Sequence, residues 1–580
     1  MPVTTRRLVR LLGLAILTIP LSGCDDGALI DAGSTRDAGS RDRDGGSPRD
    51  GGSADDGGSP LDGGSAGDDA GALDGGDTDG GTSPIDGACG AADGVATATA
   101  PTVGLCAAGV ASAVTGSGPW TWTCAGRAGG ADASCTAPVL TGVEVPGPSA
   151  ALHASHPYYT CVQDRYVATA ADGGNDSNDG RAATTGGGHG PWRTLQHAVD
   201  ALPDPAPGYC VHIADGTYSL NSSVNISRGG NAASMTGFLV FRSTNLLGAR
   251  VVASRSISAI LRAQAPYIIL DGLEVMGDQS DDGSGIDTCS SGFGYNGIHH
   301  IIVLNSYVHG MGGSGIAACW GEYYWMIHNR LDDNAYRSWY SGVSIYEPVV
   351  IPSYSPTSYD NRWTPYHNVI AFNRCHGNFT NPSGGPHTDG NGIIYDDTQH
   401  EQNAPHVVYA PRGLILGNVS WGNGGAGIQV GPTSAHTDVY NNTAYDNYRD
   451  TVNTGTWRGE ISCSLGLDNH YANNIGYATP GSGILSNNAP YLGGNRRGTN
   501  SWSSNIAYGN APHMEGGDSF PGATNQVGTN PRCVGVAAGN FALMSGSPAI
   551  GAGEVVPYWP QRTPGSIDVG ACPAELGSCP

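Results

Sequence analysis

The sequence predicts an all-β parallel β-helix, a solenoid of short strands wound in stacked coils. Two registers carry that expectation. One is a glycine bend followed by an apolar residue that starts a strand: "GSGIAAC" at Gly313, "SGVSIY" at Ser341, "GNGIIYD" at Gly390, "GAGIQVG" at Gly425 and "GSGILSN" at Gly481. The other is an asparagine closing a β-run, at Asn305, Asn329, Asn373, Asn418, Asn441 or Asn442, Asn474 and Asn505. Uninterrupted, it recurs after 24 residues (Asn305 to Asn329) and 23 residues (Asn418 to Asn441), the length of one coil. A fixed period of this size marks a repeat architecture. Amide side chains stacked from coil to coil can hydrogen-bond along the axis.

The elements before the coils follow in order. Residues 1–24 read "MPVTTRRLVRLLGLAILTIPLSGC", with Arg6, Arg7 and Arg10 ahead of an apolar run from Leu11 to Leu21. That run is too short to span a bilayer and is an export signal. Residues 25–88 hold 16 Asp against 4 Arg, a net of −12, and almost no large apolar side chains. Such a stretch cannot bury enough surface to offset its ordering entropy, and it is expected to be a disordered tether. Half of the chain's net charge of −24 therefore belongs to the tether. An acidic chain without a basic stripe points away from nucleic acid.

Residues 89–138 carry Cys89, Cys106, Cys124 and Cys135, which predicts a small β-module stapled by two disulfides of unassigned pairing. Trp120 and Trp122 within it are expected to be core rather than a sugar platform. The β-helix is expected over 155–550, with 551–580 as a C-terminal tail. Thr194 offers an N-cap to "LQHAVDAL", whose Leu195, Ala198, Val199 and Leu202 share one face. "GNDSNDG" (Asp176, Asp179) looks like a calcium loop and reads more simply as a turn. The insertion "EPVVIPSYSPTSYDNRWTPY" is expected to project from a turn and overhang a binding face. One chain is expected to act as a monomer.

Strand alternation then sorts the stretch "HTDGNGIIYDDTQ". The residue after each bend (Ile316, Val343, Ile393, Ile428, Ile461, Ile484) is apolar and expected inside. The next (Ala317, Ser344, Ile394, Gln429, Ser462, Leu485) faces out, and by the same parity so do Asp396, Glu460 and Arg458. Coils stack about 4.8 Å apart. One outer sheet is thus expected to display Asp389, Asp396, Gln429, Arg458 and Glu460, with His387 and Asp397 at its edges. Adjacent acids repel and need a proton, a cation or an arginine nearby. Calcium on Asp396 and Asp397 is one such candidate. His376 and Arg412 are weaker site candidates.

These motifs carry resemblances. "LSGC" resembles a bacterial lipobox, which implies lipid attachment to Cys24 and anchoring in the cell envelope. The four-cysteine stretch resembles a module of bacterial surface proteins. The strand–helix–strand order after residue 155, the coils and the ending "NFALMSGSPAIGAG" resemble secreted right-handed parallel β-helix proteins of the pectate lyase-like superfamily. That resemblance implies a right-handed coil and a polysaccharide, in some members acidic, as partner. One calcium-dependent lyase family there pairs an "SDG" aspartate with a "DDGxD" cluster and a lysine base. "TDG" at Asp389 is similar to the first, but the next coil reads "NGGAGIQ" and all 27 basic residues are arginine. That calcium site and base do not carry over; Arg449 or Arg458 is the replacement base. Three readings follow: a uronate lyase, an inverting glycoside hydrolase using Asp396 and Glu460, or a glycan-binding protein with a platform from Trp320, Tyr323, Tyr324, Trp325, Trp339 and Tyr340.

Overall fold

A computed structural model describes residues 84–580 apart from 91, 94–99, 103, 117–119, 138–148, 254–255, 280–282, 290–296, 338, 382–385, 403–406, 432, 451, 453–458, 464–465, 479–499, 510–522, 563–564, 575–578 and 580. Cys24, the tether up to residue 83, Arg458 and the bend at Gly481 lie outside the described residues.

Three parallel sheets carry the coils. Among the described residues the first has 11 strands, from Gln163–Val167 to Ser501–Ser503; the second has 11, from Gly216–Leu220 to Gln526–Val527; the third has 8, from Val224–Ile226 to Ile461–Cys463. The chain visits them in rotation. Ile301–Leu304 lies in the first sheet, Tyr307–His309 in the second and Ile316–Cys319 in the third; Tyr324–Ile327 then starts the next coil on the first. Each strand pairs in parallel with its counterpart one coil away, as Ile316 with Val343 and Val343 with Ile393. This is the parallel β-helix expected from the two registers.

Alternation puts one set of side chains on the axis. Val303, Val308 and Ile316 from one coil meet Met326, Leu331 and Val343 from the next in one continuous buried core. Helix α1 (Leu195–Ala201) closes one end of that core. Thr194 caps it by accepting from the His197 amide at 3.3 Å, and Leu195, Ala198 and Val199 are buried as expected.

The asparagines form two ladders. In the first, Asn329, Asn373, Asn418, Asn442, Asn474, Asn505 and Asn525 are joined amide to amide. Asn305 is one position out of step: its amide donates to Asp271 at 2.8 Å, and Ser306 aligns with Asn329. The coil length misleads there because the preceding residue, not the ladder residue, is the asparagine. The second ladder, Asn334, Asn378, Asn423 and Asn447, was not anticipated. Each rung also satisfies backbone groups that the bend would leave unpaired, the cost of which is about 1–3 kcal/mol apiece when buried.

Beyond Glu347, whose amide donates to the Asp396 carbonyl at 3.1 Å, the insertion 347–366 leaves the third sheet instead of projecting over it. Tyr359, Trp363 and Tyr366 pack with Trp325 and Tyr158 on the outside of the first sheet, so an aromatic-rich insertion is used as cover. The C-terminal segment is likewise built into the wall: Phe541, Ala571 and Cys572 pack on Val419, and Leu543 and Val569 on Ile475 and Ile506. In the small module the disulfides are Cys89–Cys135 and Cys106–Cys124, and both tryptophans are buried, Trp122 donating to the Leu105 carbonyl at 2.7 Å. Cys161–Cys210, Cys289–Cys319 and Cys572–Cys579 staple the β-helix, while Cys375 and Cys533 are free thiols.

Candidate functional site

The outer face of the third sheet brings the opening acids together. Strand Ser341–Tyr346 pairs with Asn391–Asp396, which pairs with Ile428–Val430 and through it with Ile461–Cys463. Val343, Ile393, Ile428 and Ile461 point to the core. Ser344, Ile394, Gln429 and Ser462 align on the opposite face, as expected. One step on, Tyr346 aligns with Asp396.

Asp396 is partly exposed at the strand end and accepts from the Gln402 side chain at 3.1 Å. Desolvation pushes its carboxyl well above the usual range, helped by the negative charges of Asp389, Asp397 and Glu347. The charges acting most on it are all carboxylates. Asp389 sits in the left-handed bend at φ 56° and accepts from the Asn391 amide at 3.4 Å; burial raises its pKa to about 6. Two carboxyls raised by different amounts within reach of each other's field are the pattern of an acid–base pair.

Two neighbours were missed in the sequence. The Tyr346 phenol is pushed far up by burial and by Glu347, Asp396 and Asp397, and Glu347, itself buried, accepts from the Trp320 indole at 2.9 Å. The signal was present: "SGVSIYEP" aligns with "GNGIIYDD", so Tyr346 and Glu347 stand one coil from Asp396 and Asp397.

The other sequence-based candidates divide. Glu460 is not on this face. It is fully buried and ends the second ladder, accepting from the Asn447 side-chain amide at 2.6 Å and from the Asn447 backbone at 3.2 Å. Parity failed because Glu460 precedes its strand, where the bend turns the side chain to the ladder. The Asp396/Glu460 glycosidase pair is therefore lost. Asp397 is buried and holds the next loop: it accepts from the Glu401 and Gln402 amides at 2.9 and 2.8 Å and from the Thr433 hydroxyl. Both its oxygens are committed, which does not suit a calcium ion wanting six to eight oxygen ligands. Among the described residues, the groove's acids do not bring three ligand atoms within 4.8 Å of one another. The Asp396/Asp397 calcium site does not fit this donor set.

Gln429 faces the groove floor but is buried; it donates to the Gly431 carbonyl at 3.1 Å, and among the described residues its Oε1 has no partner. The Ser462 hydroxyl beside it also has none. His387 is tied to Asp450 at the groove's edge. Arg449 is exposed and pairs with Asp446 at 2.8 Å, so its charge is directed to the preceding turn rather than to a base's role. Arg412 is bound by Asp438 and Asp468 at 2.6 and 2.7 Å, and His376 stacks on Trp421 at 4.6 Å. Asp176 caps the Arg193 and Thr194 amides at 2.8 and 2.9 Å, a turn role. Of the proposed aromatic platform, Trp320, Tyr323, Tyr324 and Trp325 are buried. Trp339 alone is strongly exposed, at 66%. Its amide donates to Thr388 at 3.2 Å, one residue from Asp389.

No protein-family model and no curated protein matches the chain. Among solved structures it is similar to a pectate lyase, at 16% identity and TM-score 0.42 over 72% of this chain and 97% of that one. It is also similar to a rhamnogalacturonan lyase, at 13% and 0.33 over 63% and 86%. A third is the A-module of a mannuronan C-5 epimerase from Azotobacter vinelandii, at 13% and 0.33 over 58% and 91%.

Proposed function

We propose that the chain is a polysaccharide-degrading enzyme whose active site is the Asp389/Asp396/Tyr346 groove, and that it acts as a uronate lyase. The observation that carries the reading is Asp396. A carboxyl whose ionisation is disfavoured by burial and by neighbouring acids is the one to hold a proton and hydrogen-bond a uronate carboxylate that an ionised acid would repel. It thereby stabilises the charge that develops when the proton beside that carboxylate is removed. Asp389, with a pKa of about 6, is ionised at neutral pH and takes that proton. The bond from the neighbouring ring carbon to the glycosidic oxygen then breaks, and the Tyr346 phenol protonates the leaving oxygen. Exposed Trp339 gives a sugar ring a face to stack on at the entrance.

Hydrolysis is the second reading, since the same unequal carboxyl pair could serve a general acid and a general base. Both products are read in one experiment with pectic, alginate and neutral polysaccharides. New reducing ends with the ultraviolet absorbance of an unsaturated sugar mean a lyase, and new ends alone mean a hydrolase. No new ends on any substrate, with retention on a polysaccharide column, would leave only a binding protein. A chelator arm in the same assay tests the calcium dependence expected from the sequence; activity that survives it agrees with the poor calcium fit. Asp396→Asn is expected to lower activity by about 10²–10⁴-fold. We further propose export and lipid anchoring through Cys24, which would hold the enzyme at the cell envelope.

A further inference from the structure

A cavity of about 600 Å³ lies away from the groove, on the outer side of the first sheet near its start. Its lining includes His156, Tyr159, Thr160, His212, Met235 and Arg242. Arg242 is buried, at 8% exposure, and among the described residues no carboxylate oxygen lies within 4.0 Å of it. Its hydrogen bonds go to neutral acceptors instead. Nη1 donates to His156 Nε2 at 2.7 Å, and Nη2 donates to the His153 carbonyl at 3.3 Å. Its Nε is buried with no partner.

The nearest countercharge, Asp271, aligns with Arg242 on the next strand and reaches it through one imidazole: Arg242 Nη2 lies 3.3 Å from His153 Nε2. A second route is longer. His156 Nδ1 lies 3.0 Å from the Tyr159 hydroxyl, which donates to Asp271 Oδ2 at 2.7 Å. Asp271 Oδ1 is taken by the Asn305 amide at 2.8 Å and faces His153 Nδ1 at 3.1 Å. Accepting at Nε2 keeps the His156 imidazole neutral, in line with a pKa lowered by burial and by Arg242. A buried guanidinium without a direct anion is costly, and here it opens on a cavity with room for a sugar ring. At the mouth, Cys161 is tied to Cys210, so the Cys161, Asp164 and His212 trio is not a metal site; His212 and Asp164 pair at 2.7 Å.

We propose that this cavity is a second carbohydrate subsite that takes a carboxylate-bearing monosaccharide unit, its carboxylate on Arg242 and its ring against the Met235 and Tyr159 wall. The unit belongs to an acidic glycan held beside, and independently of, the catalytic groove. The inference does not depend on the chemistry assigned to Asp396.

The test is isothermal titration of the full chain at neutral pH with galacturonate and with galactose, its uncharged counterpart in size and shape. Galacturonate is expected to bind at least tenfold more tightly than galactose. Met235→Trp, which narrows the cavity beside Arg242, and Arg242→Gln, which removes the charge, should each abolish that preference, while Asp396→Asn should keep it. Thr160→Trp at the exposed mouth serves as a second narrowing variant should Met235→Trp not fold. Equal binding of the two sugars, or galacturonate binding unchanged in both narrowed variants and in Arg242→Gln, overturns the proposal. Loss of binding in Asp396→Asn alone also overturns it, because it moves the sugar to the groove.

Discussion

Glu460→Gln isolates a charge that the fold keeps in its wall. Burial of Glu460 at the end of the second asparagine ladder raises its pKa from 4.5 to about 8, opposed by hydrogen bonds from Asn447. A folded-state value above the unfolded one means that the native chain holds the extra proton between those limits. The stability this contributes is fully present below about pH 4.5 and is lost as pH rises through about 8. At 1.36 kcal/mol per unit, the swing is at most about 5 kcal/mol. Glutamine cannot ionise and removes the swing. It also turns an N–H toward the Asn447 donors, costing about 1–3 kcal/mol at every pH. The variant should therefore be the weaker protein at pH 5, and at pH 9 the deficit should shrink or reverse. Urea unfolding followed by tryptophan fluorescence, with 11 tryptophans reporting on the whole chain, reads the stability of parent and variant at the two pH values. Parallel pH dependences for parent and variant would refute the argument.

Other perturbations separate scaffold from site. Asn418→Ala removes bonds to Asn373, Asn442 and the Ile370 carbonyl at 2.9–3.0 Å and should cost about 3 kcal/mol or more in urea midpoint analysis. Trp339→Ala, at an exposed side chain, should leave the melting temperature within about a degree or two and raise KM about 5–10-fold through lost ring stacking. If Asp389 is the base, the kcat/KM profile should fall on the acid side with a midpoint at about pH 6, and Asp389→Asn should remove that limb together with most activity. Cys24→Ser should move the protein from the membrane pellet to the soluble fraction; unchanged pelleting would exclude Cys24 as the anchor.

The coil was legible because its signals are local and repeated: a glycine, an inward apolar residue and an asparagine each recur once per turn. The groove was legible where strand parity holds, at Ser344, Ile394, Gln429 and Asp396, whose register the structure shares. It failed outside the strands. Glu460 and Asp397 sit at a bend and in the left-handed region (φ 46° for Asp397), where alternation no longer fixes direction. Their roles follow from which backbone amides need an acceptor, and that depends on neighbouring coils far along the chain. The aromatic insertion was misread for a related reason. Periodicity says where a loop leaves the coil but not which outer face it returns to cover.

The same contrast argues for the groove as a site. Acids that serve the fold here have their oxygens committed: Asp397 to two amides and a hydroxyl, Glu460 to Asn447, Asp176 to two amides. Asp396 accepts from the Gln402 side chain at 3.1 Å, and both Asp396 and Asp389 keep partial exposure despite raised pKa values. Beside them Gln429 Oε1 and Ser462 Oγ are buried and unpaired. A scaffold gains nothing from leaving such groups unsatisfied. The stability test follows directly. Asp396→Asn removes a carboxyl whose ionisation the folded state disfavours, so at pH 8 the variant should be at least as stable as the parent while losing activity. Local gain in stability with loss of function distinguishes a reactive position from a structural one. A large drop in melting temperature for Asp396→Asn would place Asp396 with Asp397, as one more support of the loop.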